Sequence, residues 1–163
     1  MNNTDVDLLL AQCSSELVHV QDSINALGIT SAVSPYLTKY AVIRACGSVE
    51  VAFKALIADY CNKRSKKQVK RYIALKITRS SANPSHGKII EMLDQFDEAW
   101  KNSFKANLGA DPLKTQMLSS LQSLVDARNE FAHGGNPTLS ISDVITHFGH
   151  ARKVLEHVDH VVS

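Results

Sequence analysis

Residues 6–28 read VDLLLAQCSSELVHVQDSINALG, with apolar members at Val6, Leu10, Cys13, Leu17, Val20, Ile24 and Leu27. The steps alternate strictly between four and three, the spacing that lines one face of an α-helix. A helix with one apolar stripe has to bury it against another element, so this stretch predicts a bundle helix. Gly28 predicts its end.

The same periodicity recurs further along. Pro35 suits the first turn of a second helix whose stripe is Val42, Cys46, Val49, Phe53, Leu56 and Tyr60, and Gly47 lets a neighbouring backbone approach. Lys66 to about Thr78 predicts a short basic third helix, followed by a loop over Ser80-Ser81-Ala82-Asn83-Pro84. Ile89, Leu93, Phe96 and Trp100 predict a fourth helix that fades before Gly109. Asp111-Pro112 reads as an N-cap and a proline at the first helical position, opening a fifth helix with Met117, Leu121, Leu124 and Phe131 on its stripe. After a Gly-Gly-Asn-Pro loop, Ser140 caps a last helix cored by Ile141, Val144, Phe148, Ala151, Leu155, Val158 and Val162. No segment alternates with the period of a strand. The expectation is an all-α antiparallel bundle of about five to six helices, one domain over residues 1–163.

Composition agrees with that expectation: 44% hydrophobic and 21% charged residues are ordinary globular usage, which sets disorder aside. No apolar run approaches the roughly 18 residues that span a bilayer, and the N-terminus, with Asp5 and Asp7, lacks the basic region of a signal peptide. The expected location is the cytoplasm, with no membrane partner. Cys13, Cys46 and Cys61 are odd in number, widely spaced and on or near apolar stripes, which favours buried free thiols over a disulfide or zinc framework.

Chemistry gathers where the fifth helix is expected to stop, at Arg128-Asn129-Glu130-Phe131-Ala132-His133-Gly134-Gly135. Stepping from Leu121 through Val125 lands on Arg128 and then Ala132, which points the guanidinium toward the core line. An unpaired charge there costs about 3–5 kcal/mol. On an unbroken helix Arg128 and His133 diverge by about 140°. Gly134-Gly135 and Pro137 end the helix, so His133 falls in a last turn from which its ring can swing toward Arg128. The negative helix end favours the imidazolium form. One reading is a site able to act on phosphodiesters without a metal. The other is a C-capping histidine beside a surface arginine.

Ile43, Cys46, Glu50, Phe53 and Ile57 step by threes and fours, placing Glu50 at the edge of the second helix's apolar face. It either orients Arg128 as a supporting residue or pairs with Lys54 on the surface. Lys63, Arg64, Lys66, Lys67, Lys70 and Arg71 put six cations into nine residues of a chain whose net charge is only +2. With Tyr72 beside them, Lys66, Lys67, Lys70 and Arg71 form either an RNA-backbone rail with a stacking ring or a solvated helix start. His147, His150, His157 and His160 are spaced for ion sharing, but without other ligands at metal spacing they read as exposed helix histidines, and no metal site is expected.

Arg128-Asn129 followed by His133-Gly134, at the junction of the last two helices of an all-α bundle, resembles the HEPN superfamily (higher eukaryotes and prokaryotes nucleotide-binding). Asn83-Pro84 followed by Ile89-Ile90, Leu93, Phe96 and Trp100 resembles its RiboL-PSP-HEPN branch, sometimes encoded beside RNA-repair ligase and phosphatase proteins. The resemblance spans about Pro35 to Val162. It implies a homodimer in which the Arg and His of both chains face a shared cleft. Many members are metal-independent endoribonucleases, often in toxin or defence systems, so RNA and an antitoxin or other regulatory protein are the implied partners. Carried onto this chain, the catalytic residues are Arg128, His133 and Asn129, with no cofactor. A silent nucleotide- or RNA-binding module and a helical interaction subunit are the alternatives.

Overall fold

The computed structural model describes residues 1–81, 83–136 and 138–162, so Ala82 of the expected loop and Pro137, read above as a helix stop, lie outside the described residues. Among these described residues seven α-helices follow one another: α1 Thr4–Leu27, α2 Ser34–Asn62, α3 Lys67–Ile73, α4 His86–Phe96, α5 Glu98–Ala110, α6 Lys114–Ala132 and α7 Ile141–Val162. A π-helical turn, Ala74–Thr78, extends α3. Among the described residues there is no strand, so the fold is all-α as expected.

The α1 stripe does what its spacing dictates, with Val6, Leu10, Cys13, Leu17, Val20 and Ile24 buried and only Leu27 left half in water. Asn3 Oδ1 accepts the Val6 N–H at the start of α1, and Gly28 closes it at φ +87°. The last helix, α7, packs against α1, α2, α5 and α6, and its stripe lies at the middle of the molecule. Phe53 of α2, Phe104 of α5 and Phe148 of α7 are buried in the same apolar cluster. Burying each such side chain contributes about 1.5–3 kcal/mol, so the stripes outweigh any local propensity in fixing the bundle.

One expected helix is two. Apolar spacing runs unbroken from Ile89 to Trp100, yet Asp97 adopts φ −160° and ψ +118°, ending α4 and capping α5 by accepting the Ala99 N–H at 2.8 Å. Trp100 bridges the bend, 6.4 Å from the Phe96 ring and 5.0 Å from the Tyr60 ring. The start of α6 also differs. Asp111 accepts the Leu113 N–H at 2.7 Å, and the helix begins at Lys114, past Pro112. Ser140 and Asp143 cap one another ahead of α7: the Asp143 N–H donates to Ser140 Oγ, and Asp143 Oδ2 accepts the Ser140 N–H.

Cys13, Cys46 and Cys61 are free thiols, the first two buried and Cys61 half-buried. Among the described residues no helix is long and apolar enough to cross a membrane.

Removing the cap at the bend has a defined cost. Asp97→Ala should lower stability by about 1 kcal/mol in urea denaturation, because the Ala99 N–H loses its acceptor. An unchanged midpoint would mean that the Trp100 packing alone holds the bend.

Candidate active site

The last turn of α6 sets the site. The Gly135 N–H donates to the Glu130 carbonyl at 2.8 Å and the Gly134 N–H to the Phe131 carbonyl at 3.0 Å, the paired bonds of a Schellman stop. Gly134 stands at φ +85°, where a side chain is strained, and a Cβ on Gly135 would meet Glu130 Cγ at 2.5 Å. Both glycines are therefore required by the geometry of the stop. His133 is the capping residue itself, at φ −94° and ψ +13°, and its imidazole is exposed.

Arg128 differs from its expected placement. The α6 stripe stays buried through Met117, Leu121, Leu124, Val125 and Ala127, but Arg128 is half-buried, and Phe131 and Ala132 are exposed. The final turn of α6 outruns the helices that cover the rest of it. The penalty for a buried unpaired charge therefore does not apply to this guanidinium, whose Nη1 donates to Asn129 Oδ1 at 3.3 Å.

That same Oδ1 accepts a second, shorter bond of 2.8 Å from Asn83 Nδ2, 46 positions earlier in the chain. Two donors on one oxygen fix the orientation of the Asn129 amide and turn its NH2 away from both. Asn83 is thus a member of the site that spacing could not reveal. In the sequence it stands in an Asn-Pro pair on a loop, which says nothing about which helix it meets.

Ser80, three residues before Asn83, is anchored to α2. Lys54 is buried, and its ammonium donates to the Ser80 carbonyl and to Glu50 Oε1, the latter at 2.7 Å. Glu50 therefore pairs with Lys54, the second of the two readings, although in a nearly buried setting and not on the surface. Breaking a pair of that kind costs about 3–5 kcal/mol, far above an exposed i,i+4 pair. Cys46 feels both Arg128, which lowers its thiol pKa, and Glu50, which raises it. Burial dominates and pushes it from 9.0 to about 11.

The basic run lies on the surface: Lys63, Arg64, Lys66, Lys67, Lys70, Arg71 and Tyr72 are all exposed, Tyr72 to 64%. It leads through the π-helical turn into Ser80, the residue Lys54 holds, so one continuous segment joins the cations to Asn83. The α7 histidines are not the exposed set expected. His147 and His150 are half-buried, their Nδ1 atoms 3.1 Å and 2.8 Å from Ser120 Oγ, and His157 Nε2 lies 3.1 Å from Asp111 Oδ2. Only His160 is exposed. Among the described residues no three His, Cys, Asp or Glu side chains are grouped to hold a metal ion.

A family model described as RiboL-PSP-HEPN matches residues 9–163, nearly the whole chain. No match was found among curated proteins or among solved structures.

The buried thiol beside Arg128 gives the site a pH signature. The folded chain holds the Cys46 proton more tightly than the unfolded chain, so its contribution is complete below about pH 9 and is lost as pH rises through about 11. Between pH 8 and 11 the wild type should lose about 2 kcal/mol more stability than Cys46→Ala in urea titrations. Equal losses would show the thiol to be solvated.

Proposed function

The chain belongs to the RiboL-PSP-HEPN family, a HEPN-type domain, and on that premise we propose that it is a metal-independent endoribonuclease. The reading is carried by one observation: a half-buried Arg128 bonded to an Asn129 whose amide is fixed by Asn83, one turn before a solvent-exposed His133. A planar cation, an oriented amide and a titratable ring at one helix end are the groups that phosphoryl transfer needs.

In this account His133 takes the proton of a ribose 2'-hydroxyl. The resulting oxygen attacks the adjacent phosphorus, and the bond from phosphorus to the 5'-oxygen breaks. The leaving oxygen takes up a proton, giving a 2',3'-cyclic phosphate and a 5'-hydroxyl end. Arg128 stabilises the charge that builds on the non-bridging oxygens, and the Asn129 NH2 donates to the same phosphate. DNA, which has no 2'-hydroxyl, is not a substrate. Lys66, Lys67, Lys70 and Arg71 attract the backbone, with Tyr72 available to stack on a base.

A single His133 cannot serve as base and acid in the same step, so the account places a second copy across a two-fold axis, its own His133 supplying the other proton transfer. An exposed apolar face on α2 suits this role. Tyr40, Ile43, Gly47 and Val51 share it with Leu9 of α1, and Tyr40, Ile43 and Val51 are exposed.

The test is RNA cleavage in excess EDTA. Wild type should cut, whereas Arg128→Ala and His133→Ala should each lose at least a hundredfold in rate while keeping the helical circular-dichroism spectrum. Light scattering should give about twice the 17.9 kDa chain mass. Cleavage that needs added divalent metal, or that survives both substitutions, would contradict the proposal.

A further inference from the structure

Tyr36, Lys39 and Phe131 form a cluster that the cleavage steps do not use. Lys39 Nζ stands 5.7 Å from the centroid of the Tyr36 ring and 5.7 Å from that of the Phe131 ring, an ammonium between two aromatic faces. It is anchored to Asn136 Oδ1, in the loop just past Gly135. The anchor is a neutral amide, so the bond holds the ammonium in place and leaves its charge uncancelled. Both rings reach solvent, Tyr36 at 70% exposure and Phe131 at 37%.

The cluster borders the site through α6. Phe131 lies two residues before His133, and on the helix it is about 60° from Arg128. The exposure of Phe131 follows from the same overrun of the final α6 turn that leaves Arg128 half-buried. Lys39 then ties that turn and the following loop to the start of α2.

We propose that Tyr36, Phe131 and Lys39 are a stacking platform for an unpaired nucleobase next to the bond being cut, with Lys39 meeting that nucleotide's phosphate. The proposal rests on the ribonuclease reading and adds a subsite to it, one that takes an unpaired base beside the reacting phosphate. Every base offers a π-face to an aromatic ring, whereas a base within a duplex is stacked on its neighbours. The ammonium between the rings supplies the charge that a stacked base brings a phosphate toward. Base identity is read weakly on such a surface, so the platform selects strandedness more than sequence.

The test uses the full chain carrying His133→Ala, so that bound RNA stays intact, and a short single-stranded RNA with 2-aminopurine at one position. Adding Tyr36→Ala or Phe131→Ala should weaken binding about tenfold and relieve 2-aminopurine quenching, and Tyr36→Trp should retain both. Lys39→Ala should lower the salt slope of binding by about one phosphate contact. Affinity and quenching unchanged in both alanine variants would overturn the platform and leave the ribonuclease reading standing. Loss of the dimer mass in Tyr36→Ala, with RNA affinity intact, would also overturn it by making the rings a protein contact. A parent protein that binds no RNA at low salt would reject the platform and the ribonuclease reading together.

Discussion

Gly134 ends α6 at φ +85°, one residue after His133, and the candidate site exists because the helix stops there. A helix continued by one more turn would enclose His133 within its length and cover the ring with whatever packed on the extension. Stopping at His133 leaves its ring in solvent at the end of an otherwise well-packed helix. The two glycine bonds to Glu130 and Phe131 make that stop rigid, so the imidazole starts from a fixed backbone position.

The second constraint comes from the opposite direction in the chain. Lys54 and Glu50 bury an ion pair at the edge of α2 and use it to grip the Ser80 carbonyl, which leads the chain to Asn83. Asn83 then reaches α6 and orients Asn129, whose oxygen also receives Arg128. A buried pair is an expensive way to stabilise a fold, and a hydrophobic pair of the same volume often does as well. Its distinct contribution here is positional: it ties Ser80, three residues before Asn83, to the buried edge of α2. The cations of α3 lie in the same stretch of chain, upstream of Ser80 and Asn83.

Much of this was legible in the sequence, for a physical reason. Helical stripes are repeated many times, so α1 and α7 announce themselves in Val6 to Leu27 and Ile141 to Val162 regardless of what they pack against. The bend at Asp97 was hidden because Ile89, Leu93, Phe96 and Trp100 keep helical spacing across it, and a single capping carboxylate interrupts the helix without interrupting the pattern. Phe131 and Ala132 continue the α6 stripe in sequence but not in burial, since periodicity cannot say where covering helices end. Arg128, Asn129 and His133 were readable as a group because they are neighbours along one helix. Asn83 was not, since its bond to Asn129 depends on tertiary packing. Glu50 carried two partners at plausible spacing, and the pair with Lys54 is formed in a nearly buried setting that spacing alone does not reveal.

The ribose 2'-hydroxyl is the proposed nucleophile, and the rest of the proposed chemistry depends on it. The direct measurement is end-group analysis of an RNA cut by the purified protein in chelator, beside the same RNA carrying one 2'-deoxy nucleotide at the cleaved position. The expected result is a 2',3'-cyclic phosphate and a 5'-hydroxyl from the first, and no cut at that position in the second. Cleavage at the deoxy position, or products ending in a 5'-phosphate, would contradict the account, because water and not the ribose would then have attacked the phosphorus.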